Sequence, residues 1–450
     1  MLQGPMSALD QLFEGAELLR RNPFSPHIQQ AIRRLNAEGL LPRTGSDLSS
    51  WKQWLGRFPE PLVMADRPAL ALSICLAVSS GVADLEARKR VRSALSWFPG
   101  EIDAAIPELV FRSSHVRRAL DRMTGNSQKM RVIREQGWSA SFGDDLGHVL
   151  EMGSMIRATP VLVVGESGTG KELLAQSLCA AAPGKWTGNE WRPATTESVN
   201  LAALPHDVVF SALFGHTKGA FSGATRTRTG LLERCHGEAV FLDEVAELPP
   251  HAQVALLRAL QEGRVRPLGA DEDVAAAPRV ISATHRDLPE LIASGKFRMD
   301  LYHRLSSVIL RLPALRERLD DVETLVDAHL REMSPKLKPI VKERFNAFWR
   351  DSGENYHWPG NVRELLSVVR RLSLGLQPEL MALGQPSRGR IPDELIERSW
   401  SLDEVKRWYA GHVNDGVSTR TEAARKLDVD RATLRGLLQK PPGRGPGIDA

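Results

Sequence analysis

The chain has 450 residues, room for roughly two to four domains, with 42% hydrophobic and 25% charged residues, as in an ordinary globular protein. A net charge of +4 excludes a strongly basic or acidic chain, so any nucleic-acid surface must be local. The three cysteines, Cys75, Cys179 and Cys235, are too few and too scattered for a disulfide framework or a metal-ligand pattern, which suits a reducing cytoplasm. Residues 1–125 read as a mainly helical N-terminal domain. "LDQLFEGAELLRR" and "HIQQAIRRLNAEGLL" repeat apolar residues at three- and four-residue steps, and "DLSSWKQWLGRF" starts a further helix with Asp47 or Ser49 as its cap. The most apolar run, "ALALSICLAVSSGV" from Ala69, is shorter than the roughly 20 residues of a membrane span and is expected as a buried helix. No secretory signal opens the chain, and no catalytic motif falls in this segment, so its expected role is regulatory.

The pattern changes over residues 126–312. Short β-rich runs, "PVLVVG", "AVFLDEV" and "RVISATH", alternate with helical segments, as in a parallel α/β sheet. "VLVVGESGTGKE" sets G-x-x-x-x-G-K between an apolar strand and a helix. In such a loop Gly165, Glu166, Ser167, Gly168, Thr169 and Gly170 turn backbone N–H groups toward phosphate, and Lys171 adds a point charge at the β- and γ-phosphates. Glu172 stands where Ser or Thr usually binds Mg²⁺, so the metal must be held differently. The strand "AVFLDEV" ends in an acidic pair that offers Asp243 to Mg²⁺ and Glu244 to an attacking water. A nucleoside triphosphate and Mg²⁺ are therefore the expected cofactors. Residues 313–376 are helical again, 377–400 form a Pro/Gly-rich linker, 401–440 form short helical blocks, and 441–450 read as a disordered tail.

Five motifs in order over 126–376 resemble the central AAA+ domain of bacterial enhancer-binding proteins, the activators of sigma-54 RNA polymerase. They are "GESGTGKE", "GHTKGAFSGA", "FRMDLYHRL", "LPALRER" and "WPGNVREL". The resemblance implies an α/β AAA+ P-loop ATPase with a helical lid. It also implies that Asn200 holds Glu244 until the γ-phosphate is sensed, that Arg298 and Arg304 reach a neighbouring subunit's nucleotide, that Thr284 is the first sensor, and that Arg363 is the lid arginine near the phosphates. Fingers supplied in trans imply a homo-oligomeric ring, a hexamer when active. The loop Gly219, Ala220, Phe221, Ser222, Gly223 and Ala224 resembles the family's sigma-54 contact, with Phe221 and Ser222 at its tip and the hairpin around "GADED" beside it. Three positions depart from the family pattern: Ser222 replaces Thr, His285 replaces Asn at the first sensor, and "VVFSALFGH" lacks acidic residues.

"TRTEAARKLDVDRATLRGLLQK" reads as helix, turn, helix and resembles the Fis-type helix-turn-helix of the same proteins. Ala423, Ala424 and Leu427 should pack against Leu434, Leu437 and Leu438, with Thr419 or Thr421 capping the first helix and Asp430 the second. Seven basic residues against three acidic ones between 418 and 446 leave a local +4, which suits phosphate contact. Arg431, Thr433 and Arg435 are the expected DNA contacts. The function implied is an ATP-driven, cytoplasmic activator that binds double-stranded DNA and remodels the sigma-54 RNA polymerase holoenzyme, without a membrane partner. The alternative is a AAA+ remodeller of another protein client. A DNA-binding repressor with a degenerate ATPase is disfavoured because the catalytic positions are filled.

Overall fold

The computed structural model describes residues 8–43, 46–58, 67–80, 84–98, 105–149, 159–182, 185–187, 190–192, 194, 196–354, 356–380, 402–415, 423–425, 427 and 429–438. These fall into two compact units, 1–376 and 377–450. The tail 441–450, the Thr419 and Thr421 caps and most of the linker lie outside the described residues.

The first unit begins with helices α1 (Ala8–Arg20), α2 (Pro26–Ala37), α3 (Leu48–Leu55), α4 (Arg67–Ser79), α5 (Asp84–Leu95), α6 (Ala105–Asp121) and α7 (Gln128–Phe142). Asp47 caps α3 by accepting from the Ser50 N–H. Helix α4 carries the apolar run from Ala69 and is the buried helix expected there, with Leu70, Leu72, Ile74 and Cys75 fully covered. No described helix is long and apolar enough to cross a membrane. Burial also holds the Cys75 thiol far above its ordinary pKa, so it is a packing group and not a nucleophile.

The central sheet has five parallel strands: β1 (Val161–Val164), β2 (Thr196–Asn200), β3 (Ala239–Asp243), β4 (Arg279–Thr284) and β5 (Val308–Arg311), in the order β5-β1-β4-β3-β2. β1 and β4 are buried almost throughout, as strands covered on both faces should be. Helix α8 (Lys171–Cys179) follows β1 and lies on the sheet.

One hydrophobic core runs from Leu12 in α1 through Trp51, Leu72 and Val110 to Leu174, Phe241 and Leu312, so residues on both sides of position 125 share it. Two buried arginines reinforce the junction. Arg112 of α6 donates through Nε to the carbonyl of Ala181, just past α8, at 3.0 Å. Arg279 of β4 donates to the carbonyls of Ala140 in α7, at 2.6 Å, and Leu178 in α8, at 3.5 Å. Full burial lowers the Arg279 pKa to about 10. Asp321, also fully buried, accepts from the Asn126 and Ser127 N–H groups and the Ser127 hydroxyl, which pins the chain at the start of α7.

The helical segments Val322–Leu330, Lys338–Phe348 and Asn361–Ser373 close the first unit. Trp358, fully buried, stacks on Trp349 with ring centroids 5.9 Å apart and donates its indole N–H to the Gly353 carbonyl.

In the second unit, helices Leu402–Asp415 and Arg431–Leu438 pack around Ala410, Ala423, Ala424 and Leu434, with Leu427, Leu437 and Leu438 against them. Asp430 accepts from the Ala432 and Thr433 N–H groups and so starts the last helix. Arg431, Thr433 and Arg435 are exposed, while Leu434 faces inward.

Candidate nucleotide site and loop face

The C-terminal ends of the parallel strands converge on one cleft, the usual ligand position in an open α/β sheet. After β1 the chain turns through Gly168 (φ +78°) and Gly170 (φ +107°), left-handed conformations that favour glycine. At Gly168 a Cβ would also stand 2.3 Å from the Gly360 carbonyl, so only glycine lets the lid approach this closely.

Lys171 is buried, and its Nζ donates to the carbonyls of Gly165 at 2.9 Å and Glu166 at 3.2 Å. Burial pushes its pKa down, while the negative charges of Glu244 and Asp243 act in the opposite sense. The Thr169 hydroxyl donates to the Glu166 carbonyl, so it stabilises the loop's own turn. Glu172, on the first turn of α8, accepts from Gln176 along its helix at 3.3 Å.

The lid is fastened to this loop. Asn361, buried in a left-handed conformation (φ +53°), accepts from the Leu315 N–H at 2.7 Å. It donates to Glu166 Oε2 at 3.1 Å and to the Ser167 carbonyl at 3.0 Å. Arg316 grips the same Glu166 carboxylate with both terminal nitrogens. Its hydrogen bonds are the main reason the carboxyl is held below its usual range, with a further contribution from Asn361. Arg363 reaches the Ser167 hydroxyl at 3.1 Å, and the Val362 N–H donates to the Gly168 carbonyl at 3.1 Å.

Asp243 and Asn200 end neighbouring strands in exact register partnership as Cα neighbours, and the Asn200 amide donates to Asp243 Oδ2 at 3.2 Å. Glu244, the partner that the resemblance implies for Asn200, is the next residue along the chain. The short amide reaches the residue directly opposite it. Glu244, one position later, has a left-handed backbone (φ +54°) and its carboxylate is taken up beside β4 instead, by His285. Burial, followed by the adjacent Glu244 charge, raises the Asp243 pKa above its ordinary value. Thr284, at the buried end of β4, accepts from the Arg286 N–H at 3.0 Å.

The cleft is lined by Ser167–Leu173, Asn200, Asp243, Glu244 and Arg363, and also by Arg122, Met123, Thr124, Met130, Arg318 and His329. The last six were not anticipated. They carry no phosphate-binding spacing, and only the fold brings the end of α6 and the lid to one wall. Arg298 and Arg304 do not line this cleft. Arg298 precedes the helix Met299–Leu305 and pairs with Asp300 at 2.6 Å, half exposed; Arg304 donates to the Leu260 carbonyl at 2.7 Å.

The stretch Gly219–Ala224 lies between the paired segments Gly215–His216 and Arg228–Thr229. Gly219 (φ +82°) and Gly223 (φ +101°) close it, the Gly219 N–H donates to the Ala224 carbonyl, and the Ala224 N–H donates to the Phe221 carbonyl. Phe221 is 46% exposed, with one edge against His216 at a centroid distance of 5.0 Å. A second ribbon, Arg264–Val265 with Val274–Ala275, is tied to the first by the Thr217 N–H to the Leu268 carbonyl and the Leu268 N–H to the Gly215 carbonyl.

Residues 146–311 match the family described as "Sigma-54 interaction domain", and residues 316–383 that described as "AAA+ ATPase lid domain". The transcriptional regulatory protein ZraR of Salmonella typhimurium is 32% identical over 84% of this chain and 84% of its own length. GlrR of Escherichia coli is 44% identical over 62% of this chain and 56% of its own length. The DNA-binding transcriptional regulator NtrC of Azospirillum brasilense is 34% identical over 79% of this chain and 75% of its own length.

Proposed function

The chain belongs to the bacterial enhancer-binding proteins, the sigma-54-dependent transcriptional regulators with an AAA+ ATPase domain, and from that membership we propose how its residues divide the work. Lys171 and the backbone of the phosphate loop bind the β- and γ-phosphates of ATP. Glu244 polarises the attacking water. Arg363 reports the nucleotide to the lid, since it already reaches the Ser167 hydroxyl.

A magnesium ion entering with the nucleotide fits the residues present: Asp243 is a partly buried acid whose charge is disfavoured by burial and by Glu244, and a divalent cation would offset both. When bound, that ion neutralises charge on the transferring phosphoryl group, with Asp243 as its protein ligand.

Arg298 and Arg304 serve a neighbouring subunit's site in a hexameric ring, which their position away from their own chain's cleft supports. Arg431, Thr433 and Arg435 of the carboxyl-terminal helix-turn-helix contact the DNA backbone and bases, and the protein works in the cytoplasm. The Thr433 hydroxyl donates to Asp430 at 2.6 Å, which fixes the start of the helix that carries Arg431 and Arg435. Phe221 and Ser222 contact sigma-54, and ATP turnover moves their ribbon to remodel the closed polymerase complex.

One observation carries this division of labour: the phosphate-binding and acidic residues converge on one cleft, whereas Phe221 is displayed on a separate ribbon that contributes nothing to that cleft's lining. The test is ATP-dependent open-complex formation by sigma-54 polymerase on a supercoiled promoter template. A protein that hydrolyses ATP yet never opens a sigma-54 promoter would act on another client.

A further inference from the structure

Leu18 of α1, Ile32 of α2 and Leu76 of α4 lie at the edge of the first unit's core, and each is only half-buried. They border a cavity of about 700 Å³, the size of a small-molecule site. Phe111 of α6 and Trp138 of α7, 6% and 3% exposed, complete its apolar wall. The Trp138 indole N–H has no hydrogen-bond partner among the described residues. Apolar surface gathered in a concavity favours occupation by the apolar body of a ligand.

The charged part of the lining is one-sided. It holds four arginines, Arg21, Arg33, Arg117 and Arg118, against one carboxylate, Asp121. Two of the four are engaged: Arg21 pairs with Glu17 and Asp145, and Arg118 lies 3.4 Å from the His115 ring nitrogen. Arg33 and Arg117 are exposed and make no hydrogen bond or ion pair to any described residue. Ser114, three residues before Arg117 and so on the same face of α6, adds a hydroxyl that also bonds to no described residue. A guanidinium is always charged, and its planar fork matches a carboxylate.

We propose that this cavity binds a small amphipathic carboxylate. Its apolar body lies against Leu18, Ile32, Leu76 and the two aromatic rings, and its acid group is held by Arg33 and Arg117. A purely polar anion would leave the aliphatic wall facing water. A neutral hydrocarbon would cover that wall but give the two guanidinium groups no counter-charge. The lining therefore selects a molecule with both parts.

The site lies where the amino-terminal helices meet the motor. Trp138 packs on Phe142 with ring centroids 5.0 Å apart, and between them in sequence the Ala140 carbonyl accepts from Arg279 of β4 at 2.6 Å. An occupant would thus touch a helix that is hydrogen-bonded to the central sheet. None of the cavity's lining residues is shared with the nucleotide cleft, so the two sites can be filled together.

The experiment titrates the full-length protein, saturated with ADP, with anilinonaphthalene sulfonate, a fluorescent probe that joins an apolar ring system to a fixed negative charge. One saturable site per chain is expected. Decanoate should displace the probe, whereas decanol and inorganic phosphate should need at least roughly tenfold higher concentrations, the worth of one charge-assisted contact or more. The double variant Arg33→Glu/Arg117→Glu should bind decanoate at least roughly tenfold more weakly for the same reason. Ser114→Trp, which fills part of the cavity, should weaken decanoate and probe alike. Basal ATP hydrolysis should stay at the parent level in all of these variants.

Equal displacement by decanol and decanoate overturns the proposal, as does unchanged decanoate affinity in the double arginine variant. Displacement by phosphate at the decanoate concentration shows a simple anion site and overturns it too. Many weak probe sites per chain, unaffected by Ser114→Trp, would place the probe on the general surface and have the same consequence. If Ser114→Trp does not fold, the exposed arginine pair still decides the matter, because those side chains support no described contact.

Discussion

Phe221→Ala separates a contact residue from a core residue, and the structure sets the size of each effect. A fully buried Phe truncated to Ala costs about 3–5 kcal/mol. Phe221 is 46% exposed and rests on His216 alone among aromatic neighbours, so truncation should remove no more than about half of that and leave no closed cavity. The remaining exposed surface is what a partner can cover. An aromatic side chain offers about 200 Å², so 46% of it is about 90 Å². At about 25 cal/mol per Å² that is about 2.3 kcal/mol, or roughly fiftyfold in affinity. The assay pairs thermal melting with sigma-54 binding in the presence of an ATP transition-state analogue. The expected result is a small loss of melting temperature, near-normal basal ATPase, and binding weakened by roughly fiftyfold or more. A large fall in melting temperature with binding intact in the folded fraction would refute the reasoning. Ser222→Thr should keep or raise promoter opening.

At the cleft, Lys171→Ala should abolish ATP binding, whereas Glu244→Gln should bind a fluorescent ATP analogue normally and scarcely turn over. Arg298→Ala should bind ATP but hydrolyse it roughly 10³-fold more slowly; mixing it with Glu244→Gln should restore part of the activity, and silence at every mixing ratio of assembled rings would refute action in trans. Asn361→Ala should cost about 2–4 kcal/mol in denaturant unfolding, because it leaves the Leu315 N–H and Ser167 carbonyl unpaired and places Ala in a left-handed conformation. Arg435→Ala should weaken promoter binding and reduce the salt slope by about one; an identical slope would exclude a phosphate contact.

What the sequence disclosed depended on how locally each feature is encoded. The phosphate loop, the acidic pair at the end of β3 and the helix pair around Ala423 and Leu434 are spelled within a few consecutive residues, and a strand–loop–helix context suffices to read them. The fastening of Asn361 and Arg316 to Glu166 joins segments 195 and 150 residues apart, with no spacing rule to announce it. A motif gives the place of Asn200 in the chain but not which neighbour its side chain meets. Parallel register put Asp243 opposite it, and the left-handed turn at Glu244 delivered that carboxylate to His285. The end of α6 at the cleft was equally invisible, because Arg122, Met123 and Thr124 resemble any helix terminus until the fold brings Asn126 to Asp321.

The core shared by α1–α8 has a consequence for modularity. An input domain joined through a flexible tether can be exchanged as a cassette, and its removal leaves the motor whole. Here a cut at residue 125 would strip Arg122, Met123 and Thr124 from the nucleotide cleft and expose the apolar face of α8 that α6 covers. Truncated or chimeric proteins spliced at that point are therefore damaged motors and say little about signalling. Melting of residues 1–376 should be a single cooperative event in which the amino-terminal helices and the sheet unfold together. Any displacement of α6 would be felt directly at the rear of the phosphate-loop helix, through the Arg112 contact with Ala181, with no domain rotation needed to carry it.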